Sequence, residues 1–427
     1  MKDTASLLSG RSLTAAAARL IGSGGNVENF GVSAVLAVPN SIKAEQVSQA
    51  LSALVDTHEM LRTRYDLSED PSFAVLPSRS VDIYTDLRPV DVSGLGRLQI
   101  EALIQQESAA SCARLDPCEG RIVAGVLLVE SGRSHSLLLT IHHLAVDGVS
   151  WRIIAEDLSA AFLQLAAGKD VVLPKELITC SSWVSEMRRI APEYTSKIDY
   201  WVNAAKWHDT ALRTPSSEPA LVSGMIGGPV ADEIVERLPF ALGASPDDIL
   251  LCAFGIAMYS ATGQPNTVLV QGNGRHVHIV QHADLSRTVG WIADDYPVRF
   301  GPFPKSVPNA IEVALRSLPV SPEEYTLLRS YCDAGSQFSE LGFPQYYFNF
   351  HGDSRTADDL GVKDVGSLQE WQIGNIDIFD LTLQAWLSSI DGTLVVCYSF
   401  YSPRGSFSED LLRSVASRWK AVLHNLV

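Results

Sequence analysis

Ile141-His142-His143-Leu144-Ala145-Val146-Asp147-Gly148-Val149-Ser150-Trp151 is the stretch on which the reading turns. The apolar run Ser136 to Ile141 before it reads as a buried strand, and Trp151 to Leu165 after it has helical spacing. Two histidines therefore stand at a strand end, followed by an Asp-Gly turn and a helix start. His143 titrates near neutral pH. Asp147 can orient a neighbour or hold a backbone turn, and Gly148 admits angles that other residues resist. Such a junction is a common mount for a catalytic base.

Upstream, Arg121 to Glu130 and the turn Ser131-Gly132-Arg133-Ser134 predict a hairpin leading into this stretch. Earlier still, Asn29 to Val38 reads as a strand and Ile42 to Thr57 as a helix capped by Ser41. A short strand is expected at Val81 to Tyr84. Downstream, a lobe boundary falls near Val171 to Pro174, which gives lobes 1–175 and 176–427. In the second lobe Ser245-Pro246-Asp247-Asp248 is a strong helix start. Asn266 to Val270 reads as a buried strand leaving into Gln271-Gly272-Asn273-Gly274-Arg275. Tyr296 to Phe300, Tyr346 to Phe350, Ile376 to Ser388 and Thr393 to Tyr401 have strand character, Gly224 to Pro229 is loop-like, and Phe407 to Val427 is a closing helix. Helices do not regularly separate the strands. The fold class is therefore α/β of the α+β kind, with mixed sheets rather than one doubly wound parallel sheet.

The 427 residues predict two or three domains. A net charge of -16 argues against nucleic acid, whose phosphates need a basic face. No apolar run reaches the roughly 18 residues of a membrane span, and the first residues lack a signal-peptide pattern. Six scattered cysteines without a Cys-x-x-Cys pair read as reduced thiols in a cytoplasmic protein. Cys112 and Cys118 have no histidine at ligand spacing, so no metal site is expected.

The His142-His143-x-x-x-Asp147-Gly148 pattern resembles the condensation-domain superfamily of nonribosomal peptide synthetases. The resemblance spans nearly the whole chain. Leu13 to Leu20 is similar to a weakened form of the family's opening helix, and His58-Glu59-Met60-Leu61-Arg62-Thr63 resembles its second motif. Ser286 to Trp291 with Tyr296-Pro297 resembles the fifth, and Tyr347-Phe348-Asn349-Phe350 a late strand motif. Ser150-Trp151, Thr288-Val289-Gly290-Trp291 and Tyr296-Pro297 are most similar to the epimerization subtype. One departure stands out. That subtype carries Glu-Gly-His-Gly-Arg-Glu where this chain has Gln271-Gly272-Asn273-Gly274-Arg275-His276.

The resemblance implies two lobes, each similar to chloramphenicol acetyltransferase, set as a V-shaped pseudo-dimer with a central tunnel. Its substrates ride on the phosphopantetheine of peptidyl carrier proteins, as donor and acceptor, with no cofactor bound by the protein itself. His143 is the expected catalytic residue, supported by His142, Asp147, Gly148, Ser150 and Gln271. Arg62 and Arg299 are candidate partners for Asp147, while Trp151, Tyr296 and Asn349 are tunnel candidates. Each has a plainer alternative: His142 and Asp147 as structural groups, Gly148 as a turn glycine, Ser150 as a helix cap, Trp151 as core.

Epimerization of a thioester α-carbon needs an acid/base on each face of the planar intermediate, and the amide of Gln271 cannot shuttle a proton. Amide or ester bond formation asks for orientation and one assisted proton transfer, which His143 can serve. The expected function is therefore His143-dependent bond formation. The alternatives are L-to-D epimerization and a non-catalytic platform for a carrier protein or tailoring enzyme.

Overall fold

The structure, a computed structural model, describes residues 11–22, 24, 27, 29–80, 87–206, 218–354, 362–364, 378–403 and 406–427. These fall into two units. The first holds the described residues up to Met187, together with Arg275–Ala293 and the short strand Val362–Asp364. The second holds Arg188–Gly274, the described residues from Asp294 to 354, and those from 378 to Val427. The break thus lies within the helix Cys180–Ile190 rather than near 175, and segment 275–293 belongs with the first unit although it sits in the second half of the chain. The strand expected at Val81 to Tyr84 lies outside the described residues.

The first unit is built on a five-stranded mixed sheet in the order Val362–Asp364, Gly31–Ala37, Arg133–His142, Val123–Glu130, Leu87–Asp91. Only the last pair is parallel. The expected hairpin is present: Glu130 pairs with Arg133 across Ser131 and Gly132, whose φ angles of 50° and 78° suit a two-residue turn matched to strand twist. Leu137, Leu138, Leu139 and Ile141 are each 0% exposed. Thr140 between them is also 0% exposed, its hydroxyl paired with Ser33, so the strand is covered on both faces rather than alternating. Helix Arg97–Cys112 lays Ile100, Leu103 and Ile104 against Val126, Leu128 and Leu138. Helix Ala44–Thr57 begins after Lys43 and not Ser41, because Gln46 Oε1 accepts from the Lys43 amide at 3.0 Å.

The second unit carries a six-stranded sheet in the order Asp294–Phe300, Asn266–Gly272, Tyr346–Asp353, Leu381–Ile390, Thr393–Ser402, Ala220–Gly227. Tyr346–Asp353 runs parallel to both its neighbours, and the other pairs are antiparallel. One face of the sheet, with Val268, Val270, Phe348, Leu383 and Phe400, joins a core shared with helices Pro246–Thr262 and Glu409–His424. The Ser245 cap is as expected, its hydroxyl accepting from Asp248 N at 3.3 Å. Trp419 Nε1 donates to Leu250 O at 3.1 Å and ties the two helices together. The edge strand Ala220–Gly227 replaces the loop expected from Gly224 onward. A Cβ at Gly224 would stand 2.4 Å from the Tyr398 hydroxyl, so the strand needs the glycine that makes its sequence look like a loop. Among the described residues no single helix is long and apolar enough to cross a membrane.

Candidate functional site

The strand Arg133–His142 ends on the first histidine. One 3-10 turn, His143–Ala145, carries the second, and helix Gly148–Ala166 follows. His142 is 0% exposed. Its Nδ1 accepts from Leu144 N at 3.3 Å, so Nε2 carries the proton donated to Val27 O at 3.0 Å. Both nitrogens serve the neutral ring, and burial lowers its pKa to about 4. His142 is a structural clip.

His143 is built differently. Its amide donates to Phe30 O at 2.7 Å. Its ring stacks on Phe30, with centroids 4.7 Å apart and planes at 20°, and tilts against Trp291 at 4.5 Å. Its Nδ1 is buried and makes no hydrogen bond among the described residues. Burial holds the imidazole below the usual histidine range, so at neutral pH the ring is uncharged and able to take a proton.

Asp147 caps the helix, its Oδ1 accepting from Ser150 N at 2.9 Å. Arg275 closes a fork on the same carboxylate, Nη1 to Oδ2 at 2.7 Å and Nη2 to Oδ1 at 3.0 Å, and Ile292 N adds a bond at 3.2 Å. The pair is buried, with 11% and 7% of the side chains exposed. Such a pair persists only where further hydrogen bonds satisfy the charges, as here. Arg275 thus replaces both arginines expected from the motifs. Arg62 donates instead to Leu76 O at 3.0 Å and Val55 O at 3.3 Å, and Arg299 is exposed on the strand Asp294–Phe300 of the second unit.

The remaining motif residues also sort by geometry. The Ser150 hydroxyl lies 2.8 Å from Asp147 Oδ1 and 3.1 Å from Gly290 O, and accepts from Gly290 N at 3.0 Å. It is a bridge to segment 275–293, not the helix cap. Gly148 is exposed, has a helical backbone, and a Cβ there would meet no heavy atom within 4 Å. It is no strained turn, and the space over it is open. Trp151 is half-buried with Nε1 unpaired among the described residues.

Segment 275–293 is docked by a second polar network. Glu176 Oε1 accepts from Val289 N at 2.8 Å and lies 3.0 Å from His58 Nδ1, while His58 Nε2 lies 2.7 Å from Asp157. Arg287 pairs with Asp157 and, at 3.1 Å, with Glu156. A Cβ at Gly290 would meet Cys180 Sγ at 2.6 Å, so the segment approaches that helix only through a glycine. For His58, burial disfavours the charge, but the two carboxylates outweigh it and the pKa is raised above 6.5. Its contribution to stability is therefore complete below pH 6.5 and lost as pH rises through the folded-state value. Urea midpoints should fall as pH rises above 6.5, and His58→Gln should flatten this limb. An unchanged limb would exclude His58 as its source.

In the second unit Gln271 pairs in register with Asp295 on one side and Asn349 on the other. The Tyr347 hydroxyl donates to Gln271 Oε1 and lies 3.4 Å from Asp295 Oδ1. Its ring is stacked on Phe379, centroids 4.3 Å apart. Asp295 is 5% exposed. A carboxylate at 271 would face this one directly, and like charges opposite each other on paired strands repel. Gln271→Glu should therefore raise the new carboxyl's pKa and cost about 1–2 kcal/mol as pH rises above the ordinary glutamate value. Adding Asp295→Asn should remove that pH dependence; thermal midpoints at pH 5 and 8 check it. Tyr296 packs between the unit's two apolar clusters, its hydroxyl pKa raised by burial, and Asn349 is half-buried beside Gln271.

The structure thus assembles His142, His143, Asp147, Gly148, Ser150 and Trp151 in the first unit, and Gln271, Tyr296 and Asn349 on the second unit's sheet. Sequence reasoning missed Arg275, Phe30, Trp291, Tyr347 and Asp295. Arg275 and Trp291 lie inside recognisable motifs, which is a usable signal. Phe30 carries none.

Comparison with known proteins agrees with this architecture. A family model described as "Condensation domain" matches residues 24–427. Tyrocidine synthase 2 of Brevibacillus parabrevis is 26% identical over 403 residues, 89% of this chain but 11% of that protein's length. The chain thus corresponds to a small part of that much longer relative. The crystal structure of the epimerization domain from the third module of tyrocidine synthetase B aligns with a TM-score of 0.78 at 22% identity, covering 97% of this chain and 96% of that one. The X-domain from teicoplanin biosynthesis aligns at 0.71 and 17% identity, covering 98% and 95%. At those identities the two structures attest the shared fold, which is the mixed α/β fold of condensation domains. With a family model matched from residue 24 to the last residue, the chain belongs to the condensation-domain family of nonribosomal peptide synthetases.

Proposed function

We propose that the chain forms an amide or ester bond between carrier-bound substrates, with His143 as the catalytic residue. The acceptor's amine or hydroxyl attacks the carbonyl carbon of a donor aminoacyl or peptidyl thioester held on a carrier protein's phosphopantetheine. The new C–N or C–O bond forms, the C–S bond breaks, and the nucleophile's proton ends on the departing thiol. The observation that carries the reading is the state of His143: an uncharged ring packed against both Phe30 and Trp291, which also touch each other, with a buried Nδ1 that makes no hydrogen bond among the described residues. A fixed neutral imidazole can orient the nucleophile and relay that proton.

Gln271 supports this reaction over inversion of the α-carbon. Its amide is no proton shuttle, and its Oε1 is engaged by Tyr347. The fold likeness to an epimerization domain keeps inversion as the second reading.

The test loads a carrier protein with a donor thioester, offers an acceptor, and compares wild type with His143→Ala. Equal product from both would remove His143 as the catalytic residue, and no product above the protein-free background from either would leave a platform role. Incubation of the loaded carrier in deuterated water decides the second reading: sustained α-deuterium incorporation with D-product would replace bond formation by epimerization.

A further inference from the structure

His58 follows directly on helix Ala44–Thr57, is 0% exposed, and has a carboxylate at each ring nitrogen. Nε2 lies 2.7 Å from Asp157 Oδ2, and Nδ1 lies 3.0 Å from Glu176 Oε1. A neutral imidazole has one N–H and one lone pair, so in that form one contact would set a lone pair against an anion. Only the doubly protonated ring donates to both. Each carboxylate has a further donor as well: Asp157 pairs with Arg287, and Glu176 Oε1 accepts from Val289 N at 2.8 Å. Behind them Glu156 stands 3.1 Å from Arg287. Glu59, next in the chain, accepts from Ser181 N at 2.7 Å, and the buried Cys180 thiol near Glu176 is pushed well up and stays neutral. Arg287 thus balances Asp157, whereas Glu176, its side chain 2% exposed, has His58 as its cation.

This bracketed ring fastens one end of segment 275–293, within the first unit. Arg287 is held by Asp157 and Val289 by Glu176, and between them Thr288 Oγ1 donates to Ile178 O at 2.5 Å. Two residues beyond Val289 stands Trp291, whose ring tilts against His143 at 4.5 Å and meets Phe30 at 5.7 Å. Loss of one proton from His58 leaves two buried carboxylates facing a ring with a single N–H. An unpaired buried charge is costly, and the strain falls on the residues that the same carboxylates hold. The direction of the His58 titration agrees, since the carboxylates outweigh burial and raise it above 6.5.

We propose that doubly protonated His58 is a positioning residue for His143: it holds segment 275–293, and with it the Trp291 wall, so that its deprotonation sets the alkaline limit of product formation. The activity readout rests on the bond-forming reading above. Two histidines in opposite states then bound the working range. His143 must be neutral to take a proton, and His58 must be charged to hold the wall. The acid limb belongs to the first and the alkaline limb to the second.

Nitrogen-15 NMR of the full chain labelled at histidine tests this directly. At about pH 7 both His58 nitrogens should be protonated, and the ring should titrate above 6.5. The protection of the Val289 amide against hydrogen exchange should fall over the same pH range, from a level below that of the core strand amides Leu137 to Ile141. The kcat/KM for product should fall there too, by about tenfold to a hundredfold, the effect of a misplaced wall. Asp157→Asn supplies the decisive variant. Its Nδ2–H can donate to the bare Nε2 of a neutral ring while its Oδ1 still accepts from Arg287, so the ring should titrate lower and the alkaline limb should vanish. The same acceptor in both proteins cancels its own ionisation. A neutral His58 ring at about pH 7, Val289 protection that ignores pH or equals that of the core strand, or an alkaline limb unchanged in Asp157→Asn would overturn the proposal. The wild-type measurements depend on no variant's folding. Failure of the bond-forming reading shows as product that is absent or independent of His143, while the ring titration and the Val289 exchange are read without turnover.

Discussion

Asp147→Asn is expected to destabilise the first unit by about 3–5 kcal/mol, the usual cost of removing one partner from a buried ion pair. Asparagine caps a helix nearly as well as aspartate, so the change leaves the helix start largely intact and isolates the charge. What remains is the Arg275 guanidinium, 11% exposed, facing a neutral amide. Arg275 also holds Thr288 O at 3.2 Å, and Ile292 N loses its carboxylate partner, so segment 275–293 should loosen first. That segment carries Trp291, one wall of the His143 site, and product formation should fall with stability. Urea denaturation measures the loss as a lower midpoint. Adding Arg275→Met should recover much of it, because both buried charges are then gone. A single variant within about 1 kcal/mol of wild type would show that the fork contributes no more than a surface pair does.

His143→Ala should lower the rate of product formation by about 10²–10⁴, the range for removing a positioned acid/base. The pH profile carries more information than the loss itself. Burial depresses this imidazole, so the acid limb of kcat/KM should lie below pH 6.5. Phe30→Leu removes the stacked ring and opens the site to water, which should move the limb back toward the ordinary histidine value with a smaller loss of rate. His142 has no such limb within reach, since its pKa is lowered to about 4 and both nitrogens are engaged. An acid limb at or above pH 6.5 in wild type, or one that persists in His143→Ala, would assign the titration to another group.

Local signals are legible in the sequence where local physics governs them. The Ser131-Gly132 hairpin, the Ser245 cap and the buried helix after it depend on residues within a few positions of one another. So does the strand-turn-helix junction that presents His143. Where other side chains decide, the sequence is silent or misleading. Ser41 gives way to Lys43 as cap because Gln46 reaches back. The edge strand Ala220–Gly227 is hidden by a glycine required by Tyr398, which lies far along the chain yet would stand 2.4 Å from a Cβ at that position.

By itself the sequence determined the mixed α/β class, the position of the histidine motif at a strand end, and the amide at 271 where the resembling subtype has a carboxylate. These follow from periodicity, turn chemistry and residue identity, which are properties of neighbours in the chain. Tertiary structure alone decided which cation meets Asp147, choosing Arg275 across a separation of 128 residues over the arginines of two other motifs. It also decided that His142 is a clip while His143 keeps a buried, unbonded nitrogen, and that Gln271 stands in register between Asp295 and Asn349. Pairing, burial and register depend on which surfaces the packed chain brings together, and no spacing along the sequence encodes them.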